Sequence, residues 1–148
     1  MDTNNPVTVL DEDHCWDLLA GAQVGRLATA VDRTPEIFPV NYAVDGESVV
    51  FRSAEGSKLL EIVLNDRVAF EADGWTDDGG WSVICRGHAS IVSSSEELAM
   101  VEALPLKPWI PTVKTNFVRV TVDEITGRRF VFGTDPLEKY RFSHNKIL

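Results

Sequence analysis

Apolar and polar positions change period several times along this chain, and each change marks an element. Cys15, Leu18 and Leu19 recur at helical spacing behind Asp11, a capping residue, and behind Glu12 and Asp13, which suit a positive first turn. The pattern predicts a first helix, punctuated by Gly21 and Gly25. Val24 to Val31 reads as a strand, Asp32-Arg33-Thr34-Pro35 as a turn, and Glu36 to Val44 as a second strand. Pro39 inside that strand predicts an edge or a bulge, because proline donates nothing to a ladder. Asp45-Gly46 is a hairpin signal leading into a third strand, Ser48 to Ser53. The period then turns helical, with Leu59, Ile62 and Val63 on one face of a short helix that starts near Ser57.

The second half is richer in alternation. Arg67 to Ala72 is a fourth strand, and Gly74 to Gly80 an acidic glycine-containing loop. In a long fifth strand Trp81, Val83, Cys85, Ala89 and Ile91 face one way, and Ser82, Arg86, His88 and Ser90 the other. Ser95 to Ala103 follows as a helix capped by Ser94 or Ser95, and then a proline-rich stretch, Pro105 to Pro111, surrounds Trp109. Asn116 to Val122 is a sixth strand, Thr126-Gly127 a turn, and Arg128 to Phe132 a last strand. Six or seven strands joined largely by hairpins predict a mainly β fold, an antiparallel sheet closing into a β-barrel with a few helices over its ends or one side. Neither a repeat nor a linker interrupts the pattern. The expectation is one domain over residues 1–148, with a core from about 10 to 132 and a polar tail, 133–148.

Composition narrows the function. A net charge of −9 without a basic cluster argues against nucleic acid as a partner, since duplex binding relies on neutralising phosphates. No apolar run is long enough for a membrane helix, and the polar start lacks the basic flank and apolar core of a signal peptide. The expected location is the cytoplasm. Cys15 and Cys85 form no CxxC pair, which excludes a zinc ribbon or a thioredoxin-type motif, and no metal site is expected. His14, His88 and His144 are scattered, and neither H-E-x-x-H nor Gly-x-Ser-x-Gly occurs. Any redox or group-transfer chemistry would therefore belong to a cofactor.

Three segments could hold one. Phe51-Arg52-Ser53-Ala54-Glu55-Gly56-Ser57-Lys58-Leu59 ends a strand, turns at a glycine and starts a helix. Free N–H groups of the helix start, the Ser57 hydroxyl, Lys58 and Arg52 together suit a phosphate, although a capped helix with two solvated cations has the same sequence. It is not a Walker A loop, because Phe51 stands at the first glycine position and the Ser–Lys order is reversed. Phe38-Pro39-Val40-Asn41-Tyr42 could offer unpaired backbone groups and the Asn41 carboxamide to the rim of a planar heterocycle, or be a kinked edge strand. Gly79-Gly80-Trp81-Ser82-Val83 could border a ring system, or place a tryptophan in a core or interface.

The order of these segments carries a resemblance. Val24-Gly25-Arg26-Leu27-Ala28-Thr29, Pro39-Val40-Asn41-Tyr42, Gly56-Ser57-Lys58, Gly80-Trp81-Ser82-Val83 with Arg86-Gly87-His88-Ala89, and Ile125-Thr126-Gly127-Arg128-Arg129-Phe130 follow one another. The chain resembles the pyridoxamine 5′-phosphate oxidase-like family of FMN-binding split barrels over about Leu10 to Phe132, most closely its short branch related to nitroimidazole-resistance proteins. The resemblance implies a six-stranded antiparallel split barrel and a homodimer with flavin sites at the interface. It implies that Arg52, Ser57 and Lys58 take the FMN phosphate, flanked by Phe51, Ser53 and Leu59. Pro39, Val40, Asn41 and Tyr42 would border the isoalloxazine ring, and Trp81, Ser82 and Val83 would approach the ring or the ribityl chain. Arg52 stands where the nitroimidazole branch often has histidine, so that reduction is not implied. The chain also ends without the Arg-Leu-x-Pro segment of true pyridoxamine-phosphate oxidases.

The leading expectation is an FMN-dependent oxidoreductase acting on a small-molecule substrate. A deazaflavin coenzyme in the same cleft is the alternative enzyme, with Arg128 and Arg129 available for its longer anionic tail. A non-catalytic flavin or haem carrier is the alternative from outside enzymes.

Overall fold

The computed structural model describes residues 5–54, 57–106 and 116–133, with backbone alone at 57 and 58. Ten elements follow one another: β1 (Val7–Leu10), α1 (Glu12–Ala20), β2 (Val24–Val31), β3 (Thr34–Asp45), β4 (Ser48–Ser53), α2 (Ser57–Leu64), β5 (Arg67–Trp75), β6 (Gly79–Ile91), α3 (Ser95–Glu102) and β7 (Asn116–Val131). The strands form one sheet in the order β1-β7-β4-β3-β2-β5-β6, and a β6–β7 ladder closes it. Every pairing is antiparallel. Six strands thus close the expected barrel, and β1 is a seventh that extends the sheet along β7, pairing Val7 to Leu10 with Phe130 to Gly127.

The side chains that point inward explain why the barrel closes. Phe51, Phe70, Leu27 and Val83 are fully buried in one cluster, joined by Cys15 and Leu19 from α1. Burying each large apolar side chain contributes roughly 1.5–3 kcal/mol. A smaller cluster of Val50, Val92, Val101 and Phe117 lies under α3. Asp11 caps α1 as expected, its Oδ1 accepting from His14 N at 2.9 Å, and Ser94 caps α3. Among the described residues no helix is long and apolar enough to cross a membrane.

The structure corrects five local expectations. β1 had no place in the pattern, because its four residues form a strand only against β7. Thr126-Gly127 is not a turn: β7 runs unbroken for 16 residues. Gly127 serves close approach instead, since a Cβ there would sit 2.6 Å from Cys15 Sγ and 3.2 Å from Ser82 O. The acidic loop shrinks to Thr76–Asp78, because Gly74 pairs with Trp81 and Trp75 with Gly80. At the hairpins, Thr34 and Pro35 already pair, leaving Asp32 and Arg33 to turn at φ +52° and +65°. Asp45 pairs with Ser48, so the two-residue loop is Gly46-Glu47, with Gly46 at φ +61°. Most of the proline-rich stretch and the tail beyond residue 133 lie outside the described residues.

Candidate functional site

β3 changes partner halfway along, and this creates the site. Its residues up to Asn41 pair with β2, Val24 opposite Asn41 and Arg26 opposite Pro39. From Tyr42 to Asp45 it pairs with β4. β4 keeps β7 as its partner on the other side, with Arg52 opposite Phe117 and Ser53 opposite Asn116. Beyond the Tyr42–Phe51 pair, β3 and β4 therefore diverge into a notch. Pro39, Val40 and Asn41 line one side with no ladder partner toward β4, and Arg52 and Ser53 line the other, with α2 following in sequence. The edge read from Pro39 is real, and the hairpin puts the end of Pro39–Tyr42 beside the start of the Phe51–Leu59 segment.

The side chains divide by the alternation of the strands. Val40 and Tyr42 point into the core, whereas Pro39 is exposed and Asn41 half-buried. The Tyr42 hydroxyl donates to Leu19 O at 2.6 Å, and its ring meets Phe70 edge-on at 4.8 Å. Burial raises the phenol pKa, so Tyr42 stays neutral and structural. Phe51, Leu59 and Val83 are core residues as well, leaving only their backbone for a ligand. Ser53 is buried and its hydroxyl donates to Ala54 O at 2.9 Å. α2 begins at Ser57 as expected, while the side chains of Ser57 and Lys58 lie outside the described residues.

Arg52 is the informative residue of the notch. Its guanidinium carbon lies 4.9 Å from the centre of the Phe117 ring, a cation–π distance. Its Nε is buried without a hydrogen-bond partner among the described residues. A buried charged donor left unpaired costs free energy, so the arrangement suits an anion at the notch.

Trp81 and Ser82 do not join the other two segments. Ser82 pairs with Asp73 on β5, and β5 pairs with β2. Two strands therefore separate Ser82 from Asn41, roughly 14 Å along the sheet at three strand spacings. Trp81 packs partly against the core, over Gly74, where a Cβ would come 2.7 Å from its Nε1.

Between the separated segments the outer face of the sheet carries an ion cluster that sequence spacing did not reveal. Arg26 Nη1 meets Asp73 Oδ1 at 2.9 Å and Glu71 Oε2 at 3.3 Å. Desolvation and the neighbouring Asp73 raise the Glu71 pKa, and Arg26 opposes them. His88 stands between Asp66 at 3.4 Å and Asp123 at 3.1 Å, the latter at a register shift between β6 and β7. Both thiols are buried; desolvation raises the Cys15 pKa and pushes that of Cys85 up to about 12. Neither is a thiolate nucleophile.

The family profile of pyridoxamine 5′-phosphate oxidase matches residues 11–129. The chain belongs to that family. An uncharacterized protein of Mycobacterium tuberculosis, Rv3129, is 42% identical over 108 residues, covering 70% of this chain and 98% of that one. Among solved structures, the FAD binding protein from Mycobacterium smegmatis is 45% identical with a TM-score of 0.75, over 84% of this chain and 99% of that one. A conserved protein of unknown function from Corynebacterium diphtheriae is 41% identical, also at TM-score 0.75, over 86% and 100%. The split-barrel fold expected from the order of motifs is thus the fold of the chain's relatives.

Proposed function

We propose that this chain is a flavin-binding oxidoreductase subunit that holds FMN in the β3–β4 notch at a homodimer interface. The observation that carries the reading is the buried Nε of Arg52, without a hydrogen-bond partner among the described residues, on the strand that borders one side of a notch whose other side is the ladder-free stretch Pro39–Asn41. An anionic phosphate meets the first, and the hydrogen-bonding rim of a planar ring meets the second. Flavin, when bound, would supply hydride transfer. The chain's own groups bind and orient it: Arg52 and the start of α2, with Ser57 and Lys58, at the phosphate, and the backbone of Pro39, Val40 and Asn41 at the ring. Tyr42 holds the corner from below through its bond to Leu19. Among the described residues, neither thiol is suited to serve as a nucleophile, which leaves electron transfer to the cofactor.

The homodimer accounts for Trp81 and Ser82. They lie too far from Asn41 to complete the notch of their own subunit, whereas a second copy can bring them there. Exposed apolar side chains support such an interface: Leu60, Val63 and Leu64 on α2 are 59%, 69% and 62% exposed, and Trp75 is 74% exposed.

FAD is the second reading, favoured by the M. smegmatis relative, which is an FAD binding protein. Its first phosphate would use the same notch. The test is the absorbance spectrum of the purified protein, followed by chromatography of the released chromophore. Flavin bands and released FMN support the reading, released FAD moves it to the dinucleotide, and a deazaflavin band or a Soret band overturns it.

A further inference from the structure

At the corner where β3 leaves β2 for β4, Tyr42 N donates to Gln23 O at 3.1 Å. A cavity of about 180 Å³ opens at this corner, lined by Gln23, Asn41, Tyr42 and Pro105. Among the described residues its lining holds no charged side chain, and two of the four, Gln23 and Asn41, are carboxamides. Each carboxamide offers donors and an acceptor, and together they match a neutral edge on which acceptors flank a donor. A purely apolar edge would leave both without partners, and among the described residues the lining offers an anion no cation.

We infer that Gln23 and Asn41 form a recognition site for an imide edge, the C(=O)–NH–C(=O) sequence of a planar heterocycle such as the pyrimidine side of a flavin. The inference rests on the flavin reading of the notch and adds the orientation of the ring and a residue, Gln23, to the site. Asn41 belongs both to the cavity and to the ladder-free edge of β3, so a ring laid along that edge reaches the cavity with one end. Its tail then leads toward Arg52 and the start of α2. With the imide inward, the N–H donates to a carboxamide oxygen and the flanking carbonyls accept from carboxamide N–H groups. Gln23 is exposed and accepts from Tyr42 N through its backbone carbonyl, so its side chain can change without removing that bond.

The test is equilibrium binding of riboflavin and N3-methylriboflavin, which lacks the imide donor, to wild type and to Gln23→Leu, by quenching of flavin fluorescence. Wild type should prefer riboflavin over the N3-methyl compound by about 3- to 10-fold, one neutral hydrogen bond. Gln23→Leu should lose most of that preference while losing little affinity for the methylated ring. Asn41→Leu gives the same reading should Gln23→Leu fail to fold. A wild type that binds both rings equally overturns the imide site and leaves the phosphate notch standing. So does a variant that keeps the full preference, or one that loses both rings equally. A wild type that binds neither riboflavin nor FMN overturns the flavin reading and this inference together.

Discussion

Arg52 illustrates how a single side chain reports on a ligand. Its guanidinium has an aromatic partner in Phe117, yet its Nε finds no acceptor among the described residues, although burial makes an acceptor valuable. A phosphate would supply a charge-assisted hydrogen bond there, worth about 1.5–3 kcal/mol. Replacing Arg52 with Ala should therefore weaken FMN binding about 10- to 150-fold and riboflavin binding far less. Fluorescence titration of both ligands checks this, and equal losses would move the phosphate away from Arg52. Asn41 and Tyr42 teach a related lesson. They are adjacent and were read together as ring-bordering, but strand alternation sends Tyr42 into the core and leaves Asn41 half-buried on the other face.

At the scale of elements, β7 shows where local sequence misleads. Thr126-Gly127 has the composition of a turn, but the strand passes through it, with Gly127 between Leu10 of β1 and Val83 of β6. The glycine is there because α1 packs onto it through Cys15. Gly127→Ala would place a methyl 2.6 Å from Cys15 Sγ, and overpacking of this kind costs about 1–3 kcal/mol. Chemical denaturation should show that loss. Adding Cys15→Ala to Gly127→Ala should destabilise by less than the two single losses together, because the clash is shared. Strict additivity would show that Gly127 matters for its backbone and not for the room it leaves. The elements with strong local signals behaved differently: the Asp11 and Ser94 caps stand where the sequence placed them, because a cap is decided within one turn of chain.

At the scale of the molecule, one subunit presents only part of the expected site. The notch brings Pro39–Asn41 and Arg52 together, while Trp81 and Ser82 stand across β2 and β5 from it. The exposed apolar residues of α2 lie on the helix that follows β4 in sequence. A homodimer built on that helix would join interface and cofactor site. Sedimentation should then show a species of about twice 16.4 kDa at micromolar concentration. Leu64→Asp should shift it toward monomer, because an unpaired carboxylate is costly in a buried interface. Flavin affinity should fall as dimerisation is lost, since a monomer would lack what the second copy is proposed to bring to the notch. A monomeric wild type that binds FMN tightly would overturn the shared site.

What the chain determined by itself is whatever a few neighbouring residues can settle. Alternation in Trp81 to Ala89 and the paired turn signals marked six strands and their hairpins, and the strand-to-helix step at Ser53 to Ser57 marked a phosphate-binding candidate. The order of these motifs was enough to place the chain in its family, because that order records the barrel's connectivity. Tertiary structure decided what depends on distant partners. β1 exists only because β7 offers an edge, and the notch exists only because β3 pairs with β2 and then with β4. Arg26 meets Glu71 and Asp73 only across a strand ladder. Pairing energies between residues 45 or more positions apart leave no periodicity in either segment, so the fold alone could bring them into view.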